Sequence, residues 1–229
     1  MHLVQLLSRV VRMIAATSLM LVLGCATVPA QNSLPVCANP LDSRIRNSCI
    51  VTSQSLWRGA KPDAAGAAAL VEKGVKTVVN LEWLHDDRQA FEDAMLSDAS
   101  RHEVQYFRVV DWEPLVVLDR PTVDDHVAHF IAITRTQPKP IFVHCRSGQN
   151  RTGVMVAAYR VFNGMSIEDA NAEMQSYGGI WFASDADYIR SLSPQRISKL
   201  EEAIAQWTLK LKRDAEIVCA DTKCIVAPK

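Results

Sequence analysis

Pro140-Ile141-Phe142-Val143-His144-Cys145-Arg146-Ser147-Gly148-Gln149-Asn150-Arg151-Thr152-Gly153 runs from an apolar stretch, through a polar loop with one glycine, into a segment patterned as a helix. Residues 140–144 read as a buried strand, and 151–163 as the helix that follows. A loop in that position can curl its successive backbone N–H groups round an anion, and the helix N-terminus adds the positive end of its dipole. Gly148 allows backbone conformations closed to other residues. Cys145 sits at the base of the cradle, where the same field favours its thiolate. Arg151 offers a planar fork to two phosphate oxygens at once. Together these groups suit in-line attack of sulfur on phosphorus, with a phosphocysteine intermediate whose transferred charge is met by the loop amides and Arg151. The chain has no G-x-x-x-x-G-K-[ST] segment, which sets aside a nucleotide-binding P-loop.

Outward from this stretch the pattern alternates. Ser55 to Arg58 is a short strand candidate. Asp63 caps an Ala-rich helix to about Lys73, which Gly74 ends. Lys76 to Leu81 and Val104 to Val110 are further buried strands, with a polar amphipathic helix over 86–102 between them. A helix over 122–136 precedes the strand at 140–144. Helices over 166–177, with Ser166 and Asp169 as its capping pair, and over 195–213 complete the chain. This order predicts an α/β fold with a central, mainly parallel sheet flanked by helices, and chemistry at the carboxyl ends of the strands. The expected organisation is a signal peptide over 1–24, an irregular linker over 25–54, a catalytic domain over 55–213 and a Cys-containing tail over 214–229.

Composition narrows the classes. Of 229 residues, 48% are hydrophobic and 22% charged, which excludes a disordered or coiled-coil chain. Lys+Arg and Asp+Glu are 25 each, and a neutral chain is poorly suited to coating nucleic acid, so no nucleic-acid partner is expected. The first acidic residue is Asp42; before it lie Arg9 and Arg12, the apolar run Met13 to Leu23, and small residues. That is the order of a secretory signal, and the run is short for a membrane span. Two cleavage readings stand. Val28-Pro29-Ala30 suits general processing, whereas Val22-Leu23-Gly24-Cys25 resembles a bacterial lipobox, with Cys25 as the lipid-modified residue. The lipobox is favoured, and implies a lipid-anchored protein of the periplasmic face or outer membrane. Setting Cys25 and Cys145 aside leaves Cys37, Cys49, Cys219 and Cys224, which allow three disulfide pairings in an oxidising compartment. Local pairing, 37 with 49 and 219 with 224, is the simplest. No metal or other cofactor is expected: the Cys spacings do not fit zinc, and His126 and His129 share a helix with no third ligand evident.

The stretch at 144–152 resembles the signature H-C-x-x-G-x-x-R-[ST] of the cysteine-dependent protein tyrosine and dual-specificity phosphatases at every specified position. Leu56-Trp57-Arg58-Gly59, Val75 to Asn80, and Arg151 through Met174 are similar to the small dual-specificity-type phosphatases exported by bacteria, and to fungal and plant members that act on inositol pyrophosphates. The resemblance covers residues 55–180. It implies that Cys145 is the nucleophile and Arg151 the phosphate clamp. Arg146, Ser147, Gly148, Gln149 and Asn150 form the rest of the phosphate loop, Thr152 stabilises the leaving thiolate, and His144 orders the loop. It also implies a general acid before the helix at 122–136. Asp119, in Asp119-Arg120, is preferred, and Asp111, at the strand end in Asp111-Trp112-Glu113-Pro114, is the second candidate. Asp124 and Asp125 read as first-turn helix acids. Trp112 either lines the entrance or covers the core, and Gln149 either positions water or is a solvated loop residue.

The expected activity is hydrolysis of phosphomonoesters, with phosphorylated protein or a small phosphorylated compound as partner. Arg146 is the one added cation inside the loop, which favours phosphoprotein over inositol polyphosphate. A non-catalytic phosphate-binding envelope lipoprotein is the rival of another class.

Overall fold

The computed structural model describes residues 37–98, 103–111, 115–178, 183–214, 217–220 and 223–226. The expected signal peptide, Cys25 and Trp112 lie outside them. Strands β1 (Cys49–Thr52), β2 (Leu56–Ala60), β3 (Thr77–Glu82), β4 (Gln105–Asp111) and β5 (Ile141–Cys145) form one sheet in the order β1-β2-β5-β3-β4. β1 runs antiparallel to β2, and the other three pairings are parallel. The mainly parallel α/β sheet read from the sequence is therefore present, with β5 at its centre.

Side-chain alternation explains why β5 is buried on both faces. Ile141, Val143 and Cys145 point to one face, into a core with Val127, Phe130 and Ile131 of α4 (Arg120–Thr136) and Met155 and Ala158 of α5 (Asn150–Phe162). Phe142 points to the other, into a second core with Ala67 and Leu70 of α1 (Ala64–Glu72) and Phe91 of α2 (Arg88–Ser97). Each fully buried Phe or Leu here contributes about 1.5–3 kcal/mol relative to exposure. Asp63 caps α1 by accepting from the Gly66 amide at 2.8 Å, as its sequence position predicts. Ser166 caps α6 (Ile167–Ser176) through the Asp169 amide.

The N-terminal stretch departs from the linker expected through residue 54. Leu41, Ile45 and Val51 are buried, and β1 joins the sheet. The sulfurs of Cys37 and Cys49 stand at bonding distance, 2.03 Å, closing a loop over residues that read as irregular. The helix expected over 86–102 ends at Ser97, with Asp98 extended. Two short helices escaped the sequence pattern, α3 (Leu115–Leu118) and α7 (Ala183–Arg190), and the last helix is α8 (Pro194–Asp214). The tail carries a hairpin of β6 (Ile217–Ala220) and β7 (Lys223–Val226), whose register sets Cys219 opposite Cys224. Among the described residues, no helix is long and apolar enough to cross a membrane.

Candidate active site

Cys145 ends β5 and is 1% exposed. The loop 146–149 follows, and α5 begins at Asn150. α5 receives no side-chain cap at its N-terminus, because Gln149 turns its amide away to donate to the Tyr177 carbonyl at 2.8 Å. α5 opens directly from the loop and turns the positive end of its dipole towards it, which suits an anion.

The loop is held open from outside by its carbonyls. The Lys61 amide donates to the Cys145 carbonyl at 2.7 Å. The Asn47 side-chain amide donates to the Ser147 carbonyl at 2.8 Å. Arg58 Nη2 donates to the Gly148 carbonyl at 2.6 Å. In a trans peptide the C=O and the next N–H point in opposite directions. Clamping these carbonyls outward aims the N–H groups of Arg146, Gly148 and Gln149 the other way, into the cradle above Cys145. The glycine is needed twice over. Gly148 has φ +71°, and an added Cβ would stand 2.4 Å from the Gly59 carbonyl carbon.

Arg151, on the first turn of α5, reaches over the carboxyl ends of two strands. Its Nη1 donates to the carbonyls of Leu81 at 3.2 Å and Asp111 at 3.3 Å. This fixes the guanidinium at the mouth of the loop. Thr152 is fully buried, and its hydroxyl has no hydrogen-bond partner among the described residues. A hydroxyl left unsatisfied beside a catalytic loop fits a partner that carries charge during only part of the cycle. Arg146 is exposed, while Ser147, Gln149 and Asn150 are half-buried in the loop.

His144 is fully buried on the opposite face of β5 from Cys145. Its Nε2 stands 3.3 Å from Asp87 Oδ2. Asp87 in turn accepts from Tyr106 and from Asn80 at 2.9 Å. Burial, reinforced by Lys61 and Arg151 and opposed by Asp87, pushes His144 down to about 4, so it is neutral near pH 7. A neutral, enclosed imidazole is poorly placed to carry a proton between substrate and solvent.

His129, stacked on Trp207 at 3.8 Å, is likewise held by burial at about 4, against an ordinary 6.5. The unfolded chain protonates both histidines below pH 6.5, and the folded chain only near 4. Stability is fully present above 6.5 and falls as the pH drops, by roughly 2 kcal/mol for each histidine by pH 5. Denaturant melts at pH 7 and pH 5 check this, and His129→Phe is expected to flatten the difference by about half.

The two acid candidates lie on either side of α3. Asp111, at the end of β4, is 5% exposed, and its Oδ1 stands 3.1 Å from His126 Nδ1. Asp119 is exposed and caps α4, accepting from the Thr122 amide at 3.3 Å and the Thr122 hydroxyl at 2.6 Å. Those Thr122 hydrogen bonds hold its carboxyl below the usual range, with His126 adding to the effect. Asp124 is tied to Tyr188 and Arg196, both at 2.7 Å, and Asp125 accepts from Trp207 at 2.7 Å, so neither is free for chemistry. Among the described residues no His, Cys, Asp and Glu cluster could hold a metal ion. His126 and His129 are engaged separately, with Asp111 and Trp207.

The sequence reading missed Asn47, placed in a linker, and the use made of Arg58 and Tyr177. Only Arg58 had a signal, as a charged residue inside an apolar strand.

A model of the family described as DSP-PTPase phosphatase fused to NAD+ kinase matches residues 37–188. The dual specificity protein phosphatase TpbA of Pseudomonas aeruginosa is 34% identical over 149 residues, covering 62% of this chain. That match spans 57% of the length of TpbA, so the chain matches little more than half of its curated relative. A crystal structure of P. aeruginosa TpbA in complex with pTyr is 26% identical, with TM-score 0.50, covering 66% of this chain and 86% of that one. The core catalytic domain of the PP-IP phosphatase SIW14 from S. cerevisiae shares the fold at 16% identity, with TM-score 0.54, covering 74% of this chain and 95% of that one.

Proposed function

This chain belongs to the DSP-PTPase phosphatase family, and from that membership we propose that it hydrolyses phosphomonoesters of proteins through a phosphocysteine on Cys145. The observation that carries the reading is the outward clamping of the Cys145, Ser147 and Gly148 carbonyls, which leaves the N–H groups that follow them to face the inner side of the loop. A phosphoryl group seated there has its equatorial oxygens met by the amides and the Arg151 fork. The Cys145 sulfur attacks phosphorus as the ester oxygen leaves with a proton from the acid. Water then attacks the phosphocysteine, giving up its proton to the same carboxylate, and the thiolate departs towards the Thr152 hydroxyl. Phosphotyrosine protein is the favoured substrate, supported by the relative crystallised with pTyr.

The general acid in this reading is Asp119. It lies on an exposed segment, where its carboxylate accepts from the Thr122 amide and hydroxyl, so it can swing to a leaving oxygen once that cap is released. Asp111 is enclosed with His126 and cannot reach substrate without breaking that contact. Asp119→Asn is expected to lower kcat by about 10²–10⁴-fold, with a smaller effect for Asp111→Asn. Kinetics on both variants decide it, and the reverse order moves the acid to Asp111.

Export belongs to the same proposal. The basic and apolar N-terminus, the lipobox ending at Cys25, and the closed Cys37–Cys49 loop all suit a lipid-anchored protein on the periplasmic face of the envelope. Metabolic lipid labelling that is lost in Cys25→Ala tests it.

The activity itself is tested by phosphate release from a phosphotyrosine peptide, a phosphoserine peptide and an inositol polyphosphate, with chelator present. Cys145-dependent release from the phosphotyrosine peptide supports the reading. Preference for the inositide moves the substrate class. Absence of release from all three, in folded and reduced protein, identifies a phosphate-binding module instead.

A further inference from the structure

We propose that Arg58 is a positioning residue of this site: a buried cation that holds the Gly148 carbonyl outward and sets the charge felt at Cys145. The inference rests on the phosphocysteine reading above. Arg58 is on β2, paired with Val143 one strand from the nucleophile, and is among the largest fully buried side chains of the protein. Its Nη2 bonds the Gly148 carbonyl, and its guanidinium lies 3.5 Å over the Tyr177 ring. Nε and Nη1 have no hydrogen-bond partner among the described residues. Burying a guanidinium with two of its three nitrogens unused is costly unless its charge is needed.

The surroundings identify what needs it. Glu173, the nearby carboxylate, is already bound to Arg160 at 2.9 Å. Tyr177 is kept neutral near pH 7 by its own burial. The anions that remain are the Cys145 thiolate and a phosphate in the cradle, across one peptide layer from Arg58. Burial and the neighbouring Arg160 work against the Arg58 charge, while Tyr177, Glu173 and Cys145 work in its favour. The other charged groups near the strand ends are Lys61, whose amide bonds the Cys145 carbonyl, and Arg151, bonded to the Leu81 and Asp111 carbonyls; Asp87 lies with neutral His144 on the other face of β5. Arg58 therefore does two things at one contact. Holding the 148 carbonyl fixes the direction of the Gln149 N–H, and its charge adds to the field beneath the loop. Tyr177 joins both, because it carries the guanidinium on its ring and takes the Gln149 side chain on its carbonyl.

A packing role alone would be indifferent to charge, so charge is the variable to change. Arg58→Gln keeps an amide donor for the Gly148 carbonyl and removes the cation; Arg58→Lys keeps the cation. The readouts are the pH midpoint of Cys145 alkylation by iodoacetamide, and protection from alkylation by inorganic phosphate. In Arg58→Gln the midpoint is expected to rise by about one pH unit, and phosphate protection to weaken about tenfold. Arg58→Lys is expected to stay within a few tenths of a unit and about threefold of the parent. A parental midpoint in folded Arg58→Gln, or equal shifts in both variants, overturns the proposal. If Arg58→Gln does not fold, the Arg58 Nε–H resonance, assigned by its loss in Arg58→Lys, is followed in the parent protein by NMR. It is expected to move on adding inorganic phosphate and across the Cys145 titration, with the second movement absent in Cys145→Ser; a stationary resonance overturns the proposal. Neither readout needs turnover. A parent protein that releases no phosphate from any ester yet gives these shifts refutes the phosphatase reading and leaves Arg58 in its role.

Discussion

Cys145→Ser is expected to lower phosphate release by about 10⁴-fold or more while leaving phosphate binding within about threefold of the parent. The reason is the separation of tasks in the loop. The amides and Arg151 that receive the phosphate are placed by Lys61, Asn47, Arg58 and the carbonyls of Leu81 and Asp111, none of which touches the substituted atom. Serine fills nearly the same volume at a fully buried position, so the cradle survives. What is lost is a soft, readily ionised sulfur; a serine hydroxyl in this loop has no base to take its proton, since His144 lies on the other face of β5, neutral and enclosed. Turnover and inorganic phosphate binding, measured on the same sample, check both halves. Retained turnover would move the nucleophile elsewhere, and loss of binding would mean that the sulfur builds the cradle.

Gly148→Ala is expected to cost about 2–4 kcal/mol in stability and about 10²–10³-fold in kcat/KM. Two effects add. At φ +71° a residue with a Cβ is strained whatever its surroundings. That Cβ would also lie 2.4 Å, 2.5 Å and 2.6 Å from the Gly59 carbonyl carbon, the Ala60 nitrogen and the Gly59 oxygen, all backbone of a buried strand. No rotamer change can relieve such a contact, so the loop must rise off β2. Arg58 then loses the Gly148 carbonyl, and the amide directions are released. Thermal melting and steady-state kinetics read the two costs separately. Parental kinetics would show that the loop tolerates a shift of this size.

The site was legible in the sequence where its chemistry is local. Ile141 to Thr152 carries its own strand, turn, helix and reactive groups within one short segment, and the structure sets Cys145 at the strand end, Gly148 in the turn, and Arg151 and Thr152 on the first turn of the helix. The sheet was legible for a related reason: strands buried on both faces, such as Thr77–Glu82 and Ile141–Cys145, leave short runs rich in apolar and β-branched residues. What stayed hidden depends on contacts across long separations. Asn47 meets Ser147 a hundred residues away, and nothing in Arg46-Asn47-Ser48 announces that partner. β1 joins the sheet with Val51 buried in one core and Leu41 and Ile45 before it buried in the other, yet its polar neighbours give the segment the look of a linker. α3 and α7 are too short for a helical period to stand out. Asp119 and Asp111 differ in exposure and in partners, Thr122 for one and His126 for the other, and those are properties of the folded chain.

The central claim is the covalent one, and it can be seen directly. A phosphotyrosine peptide carrying radioactive phosphate is mixed with the parent protein, and the reaction is stopped in denaturant at successive times within its first turnover. After digestion, the account predicts transient label on the peptide that contains Cys145, and none in Cys145→Ser. Steady release of phosphate with no label on Cys145 at any time, or label on another residue, would contradict it.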